Sequence, residues 1–172
     1  MTDSICVGCG ICCDGTLFRH LPIALGDKRE VLEAAGSVIA TIGTGPMMVL
    51  GCGAFDGQCC TIYADRPTVC GTFTCALYRR HAAGEVTTED AKVAIAETIA
   101  LRDIVRPAVE EFLGLETPST NLVVLFDQLA AVFADAPDAD AAKQANHKLL
   151  LYVSGLQLRL RTMFRNDSPA PG

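Results

Sequence analysis

Cys6-Val7-Gly8-Cys9-Gly10-Ile11-Cys12-Cys13 places four thiols within eight residues, a CxxCxxCC run. Two intervening residues let a tight turn bring two sulfurs onto one ion while backbone N–H groups point at them. Gly8 and Gly10 ease that turn, because neither carries a Cβ to obstruct the approach of backbone to sulfur. The neighbours Cys12 and Cys13 cannot both aim at one point without strain, so they serve two different sites or bridge between two ions. A run of this kind specifies loops wrapped on metal rather than a regular element.

Five more cysteines follow, Cys52, Cys59, Cys60, Cys70 and Cys75, and none comes after them. The nine could supply two four-sulfur sites with one thiol left over. Up to about Cys75 the chain is Gly-rich and poor in helical periodicity, the pattern of loops and short strands. A modest helix is expected over Asp27 to Ala35, capped by Asp27 and stopped by Gly36, with short strands over Met47 to Leu50 and Cys60 to Tyr63.

The second half differs in kind. Cys70 to Ala83 reads as a helix ended by Gly84. Thr87-Thr-Glu-Asp90 is a capping-box-like start for a helix running towards Arg106, where Pro107 should kink or restart it. Leu122, Leu125, Phe126, Leu129, Val132 and Phe133 recur at helical spacing, as do Leu149, Val153, Leu156, Leu160 and Phe164. With Pro118 and Pro137 in the connections, this half predicts three or four helices joined by short turns. The fold expected is therefore mostly α, with a small irregular cysteine-rich metal-binding lobe. The divisions are a cysteine-cluster region over 1–84, a helical region packed on it over 85–166, and a disordered tail over 167–172.

Half of the residues are apolar, enough for one compact core. A net charge of -6 argues against nucleic acid and anionic membranes as partners. The opening MTDSICVGCG has no basic stretch followed by an apolar one, so it does not read as a secretory signal. The cytoplasm is the expected compartment, where thiols stay reduced and free for metal. A disulfide framework would need an oxidising setting and leaves an odd thiol. Thiol–disulfide chemistry through the CxxC pairs stands as a rival.

Cys6 to Cys13, taken with Cys60-Thr-Ile-Tyr63, Arg66-Pro67, Cys70, Phe73 and Cys75, resembles the bacterial CxxCxxCC cysteine-cluster family of zinc- or iron-chelating proteins. The resemblance runs from about Cys6 to Cys75, and Cys59 is the cysteine outside its pattern. It implies metal ligation by Cys6, Cys9, Cys12, Cys13, Cys52, Cys60, Cys70 and Cys75. A larger relative, the flagellin lysine methylase, resembles an iron–sulfur protein. Three cysteines repeating at x2 spacing follow the opening rhythm of bacterial iron–sulfur ligation, while all-sulfur sites equally suit zinc.

Thiolates leave excess negative charge on either centre, and Arg66 is the candidate to offset it beside the cofactor, ahead of Arg19, Arg79 and Arg80. His20 and His81 lie close enough in sequence to be considered as ligands. Tyr63 and Phe73 read as apolar walls. The leading expectation is a cytoplasmic protein chelating an iron–sulfur cluster or zinc, for electron delivery or for binding a protein partner. The alternatives are a structural zinc module in an interaction protein, or a cluster-dependent group-transfer enzyme resembling the methylase. No S-adenosylmethionine motif supports the last, since Gly43-Thr-Gly45-Pro fits a dinucleotide loop poorly.

Overall fold

A computed structural model describes residues 4–119 and 121–165; the tail expected over 167–172 lies outside the described residues. The elements are β1 (His20–Pro22), α1 (Arg29–Ala34), β2 (Val38–Ile42), β3 (Gly45–Val49), α2 (Thr68–Thr72), α3 (Ala76–Ala82), α4 (Thr88–Leu113), α5 (Leu122–Ala134), α6 (Ala139–Ala145) and α7 (His147–Met163). The molecule is mostly helical, with its helices concentrated in the second half and its cysteines in the first.

The strands form one small antiparallel sheet in the order β1-β3-β2. Met48 in the middle strand faces Leu21 on one side and Ile39 on the other. Beneath the sheet Ile23, Leu32, Met48 and Leu50 make a minor core. The main core is built by α3, α4, α5 and α7, where Leu77, Ala91, Ile95, Val105, Val109, Leu122, Leu125, Leu129, Phe133, Val153, Leu156, Leu160 and Phe164 are buried together. The three- and four-residue spacings of α5 and α7 thus mark the faces that each helix packs on α4, although Val132 lies on the solvent side. Ile5, Ile11 and Leu17 from the cysteine loop are buried in that same core.

Several local expectations change. Asp27 is not the cap of α1, which begins at Arg29 with no side-chain cap. Its carboxylate instead accepts from the Ala24 N–H (2.8 Å) and from the N–H and hydroxyl of Thr68 (2.8 and 2.7 Å), tying this loop to the start of α2. Cys60 to Tyr63 is not a strand. Asp56 accepts the N–H groups of Gln58 and Cys59, which folds the segment into a tight turn, leaves a single bridge between Phe55 and Cys60, and leads into a 3-10 turn at Tyr63–Asp65.

The helix expected from Cys70 to Ala83 is two helices. Phe73 and Cys75 are extended, and Cys75 then caps α3 by accepting the Tyr78 N–H on its sulfur at 3.4 Å. Thr87 caps α4 as expected, accepting the Asp90 N–H at 3.1 Å. That helix runs on through Pro107 to Leu113 as one element, with no restart at the proline. Buried Val105 and Val109 hold the stretch from both sides, and Arg106 is bonded to the Ser119 carbonyl at 2.8 Å, so packing offsets the hydrogen bond that proline removes.

Candidate metal centre

The CxxCxxCC run folds as two successive turns. The Cys9 N–H donates to the Cys6 carbonyl at 3.2 Å, and the Cys13 N–H to the Gly10 carbonyl at 2.7 Å. Gly10, at φ 62°, joins them, and a Cβ there would come within 2.1 Å of the Phe55 ring. Phe55 therefore lies flush on the loop backbone and covers it. Ile5, just before the run, and Ile11, between Cys9 and Cys12, point into the main core, so apolar side chains interleaved with the thiols anchor the loop.

Asp14 follows the last thiol of the run. It accepts the Thr16 N–H at 2.9 Å and pairs with Arg102 of α4, both side chains being only 17% exposed. Arg106, one turn further along α4, donates to the Asp14 carbonyl (3.3 Å) and the Thr16 hydroxyl (3.5 Å). Asn121, buried at the start of α5, donates to the carbonyls of Phe18 (3.2 Å), Arg19 (3.0 Å) and Leu50, and so ties the approach to β1 and the exit from β3 to the helices. No spacing or motif in the sequence marks Asp14, Arg102 or Arg106 as partners of this loop. Only Asn121 carries a readable signal, a capping residue immediately before the apolar run at Leu122.

Cys52 donates its N–H to the Cys13 carbonyl at 2.8 Å, which brings the second group of cysteines against the first. Next to it, Gly53 crosses the turn after α1 so closely that a Cβ would lie 2.3 Å from the Gly36 carbonyl carbon. The Cys52 sulfur meets the Ser37 hydroxyl at 3.5 Å. Cys60 follows the 56–59 turn, Cys70 lies in α2 and Cys75 caps α3. Cys59 is exposed, with its thiol 3.5 Å from the Asp56 carboxylate.

The thiols share neighbourhoods closely enough to raise one another's pKa. Burial first, and then the charges of Cys12, Cys6 and Cys75, push Cys9 up to about 12. Burial and then Cys52, Cys12 and Cys60 push Cys70 up to about 12. Cys12 is raised by its contact with Cys13, 3.7 Å between sulfurs, and then by burial. Cys6, Cys60 and Cys75 are raised as well, burial coming first in each.

Arg66 opposes this for Cys6, Cys60 and Cys70. It stacks on Tyr63 with its guanidinium 3.9 Å from the ring centroid, and it lies alongside Gly71. Arg19 pairs with Asp127 and Arg80 with Glu85 at 3.6 Å, while Arg79 sits in the last turn of α3. The His81 Nδ1 is 3.0 Å from the Val86 carbonyl. The His20 Nδ1 is buried without a hydrogen-bond partner on β1.

Among the described residues no three His, Cys, Asp or Glu side chains already stand at the spacing of a bound ion. The sulfurs are neighbours, and a shared ion would have to draw them inward. Their chemistry fits one. Crowded, partly buried thiols resist ionising next to each other, and a soft or borderline cation reverses that balance by deprotonating its ligands outright. Backbone N–H groups also reach sulfurs, from Ile11 to Cys9, Ile62 to Cys60 and Tyr78 to Cys75, as in sites that tune thiolate charge.

A family model named CxxCxxCC and described as "Putative zinc- or iron-chelating domain" matches residues 5–95. That span takes in all nine cysteines and ends in the first turns of α4. No curated protein and no solved structure matches the chain. No helix among the described residues is long and apolar enough to cross a membrane.

Proposed function

We propose, from the premise that this chain belongs to the CxxCxxCC family of zinc- or iron-chelating domains, that Cys6, Cys9, Cys12, Cys13, Cys52, Cys60, Cys70 and Cys75 chelate metal as an iron–sulfur centre in the cytoplasm. The observation that carries the reading is that the fold brings the two groups of cysteines together, the Cys52 N–H on the Cys13 carbonyl at 2.8 Å and the Cys12 and Cys13 sulfurs 3.7 Å apart. When bound, such a centre supplies one-electron transfer, and the exposed apolar side chains of α7, Leu151 and Leu158, offer a face for a protein partner.

The chain's own residues hold and tune the group. The turns at Cys6–Cys9 and Gly10–Cys13 present sulfurs, and Phe55 and the Phe18–Phe73 edge contact at 5.1 Å limit the approach of water. Arg66 balances thiolate charge, held in place by its stack on Tyr63. A structural zinc role is the second reading. It is favoured by the minor core, where four buried side chains under a three-stranded sheet are too few to stabilise that region unaided.

Elemental analysis and visible spectroscopy of anaerobically isolated protein test both. Broad visible absorption bleached by dithionite, with iron and acid-labile sulfide in comparable amounts, is the expected result. Colourless protein with stoichiometric zinc moves the assignment to the structural reading. Protein with neither metal overturns chelation itself.

A further inference from the structure

We infer that the eight thiols form two adjacent four-sulfur sites, one of Cys6, Cys9, Cys12 and Cys75 and the other of Cys13, Cys52, Cys60 and Cys70. This deepens the chelation reading above and rests on it.

Packing divides the sulfurs first. Cys9, Cys12 and Cys75 lie against the main helical core, whereas Cys52 and Cys70 lie against the minor core under the sheet. Cys70 and Cys75 are only five residues apart, and it is the extended break at Phe73 to Cys75 between α2 and α3 that sends them to different cores. The broken helix thus has a purpose that a continuous one would not serve.

Backbone geometry groups them the same way, since the Cys9 N–H donates to the Cys6 carbonyl at 3.2 Å, and the turn in which the Phe55 N–H donates to the Cys52 carbonyl at 3.1 Å bridges Phe55 to Cys60. Every pair among Cys6, Cys9, Cys12 and Cys75 interacts, and so does every pair among Cys52, Cys60 and Cys70. The Cys13 backbone is tied to the latter group, its carbonyl accepting the Cys52 N–H at 2.8 Å, while its sulfur stands beside that of Cys12, and we assign it to the second site as the fourth sulfur there. Four sulfurs per site is the number that a tetrahedral zinc or an iron–sulfur cluster requires. Cys59, although next to Cys60, is left outside both because its thiol is turned to the Asp56 carboxylate at 3.5 Å.

The two sites meet at the vicinal pair. Cys12 and Cys13 stand 3.7 Å apart at sulfur, so consecutive residues feed different centres without the strain of aiming at one ion. Cys12 also interacts with Cys70 across the boundary. The charge of Arg66, stacked on Tyr63 and alongside Gly71 next to Cys70, favours the thiolates of Cys6 in one site and of Cys60 and Cys70 in the other, and so a single guanidinium serves both. Two such centres side by side carry more negative charge than one cation offsets, which makes the shared position of Arg66 consequential.

The test uses the full chain stripped of metal and titrated anaerobically with cobalt(II), read by sulfur-to-cobalt charge-transfer and ligand-field absorption. About two ions per chain in tetrahedral sulfur sites are expected. At sub-saturating cobalt, alkylation and mass mapping should show thiols protected in blocks that follow the two quartets. Cys59 should stay reactive at saturation. Joining Cys9→Ser with Cys75→Ser should remove about one ion, no more than either change alone, while joining Cys9→Ser with Cys70→Ser should remove both.

Saturation at one ion, or protected blocks that mix the quartets, would overturn the partition while leaving chelation intact. Because serine variants could fail to fold, the protection map is taken on the unaltered chain and far-ultraviolet circular dichroism accompanies each variant. Failure of the unaltered chain to bind cobalt, together with metal-free protein on isolation, is the separate outcome that removes the parent reading.

Discussion

The sheet region and the helical region are stabilised by different physics. In the helical region, long amphipathic stretches bury a continuous apolar core from Leu77 to Phe164. Around the sheet the apolar core shrinks to Ile23, Leu32, Met48 and Leu50, and polar clamps take over: Asp27 on Thr68, Asn121 on three carbonyls, and Asp14 with Arg102. The cysteine loop belongs to neither region alone. Its isoleucines are buried with the helices, while Cys13 and Cys52 bind its far end to the segment beside the sheet. The contrast teaches that apolar burial suffices for one region, whereas the other depends on directional contacts and, on the proposed reading, on metal.

Metal removal should break this contrast most severely. A structural zinc site contributes about 10–16 kcal/mol of apparent binding energy, comparable to the roughly 5–15 kcal/mol that holds a whole domain together. Chelation of the isolated protein should therefore raise amide exchange strongly across 20–22, 38–49 and 52–72, while α4, α5 and α7 keep most of their protection. Hydrogen exchange with mass spectrometry, with and without chelator, reads this directly. Equal loss in both regions would mean that they form one cooperative unit and that the contrast has no thermodynamic content.

A smaller effect is expected from the joint between them. Asn121→Ala removes the donor to Phe18, Arg19 and Leu50 and the side-chain oxygen that accepts the Val124 N–H at 3.1 Å. Leaving buried carbonyls unpaired and losing a helix cap should together cost about 3 kcal/mol. If Asn121 couples the regions, the variant should also release metal at a lower chelator concentration, which a competition titration measures. Lower stability with unchanged chelator resistance would confine Asn121 to capping α5.

How much of this was legible depends on what each region uses. Apolar spacing exposes the faces of α5 and α7, and Thr87 with Asp90 marks the start of α4, because those signals lie within a few residues of one another. A strand as short as β1, three residues long, carries too few alternations to be recognised, and it pairs with β3 across more than twenty residues. The break at Phe73 to Cys75 was hidden because its causes lie elsewhere in the chain, in the Phe18 ring against Phe73 and in the core beneath Leu77. Cysteine spacing announces chelation, but it says nothing of which thiols are neighbours. That depends on contacts such as Cys52 to Cys13, nearly forty residues apart. The role of Asp27 is lost for the same reason, since its partner Thr68 is remote.

The smallest expected effect sharpens the comparison within the cysteine region itself. Cys59 and Cys60 are adjacent, yet only Cys60 lies in the electrostatic neighbourhood of Cys52 and Cys70. The Cys59 thiol is held protonated by its hydrogen bond to the Asp56 carboxylate, whose charge opposes its ionisation, on the exposed side of the turn. A serine hydroxyl can make the same contact, and the turn is secured in any case by the Cys59 N–H to Asp56 at 2.7 Å. Cys59→Ser should leave the metal content and the melting curve superimposable on those of the unaltered chain, whereas Cys60→Ser should lower metal content and destabilise the sheet region. Metal loss as large for Cys59→Ser as for Cys60→Ser would show that the turn rearranges on binding and brings the other neighbour inward.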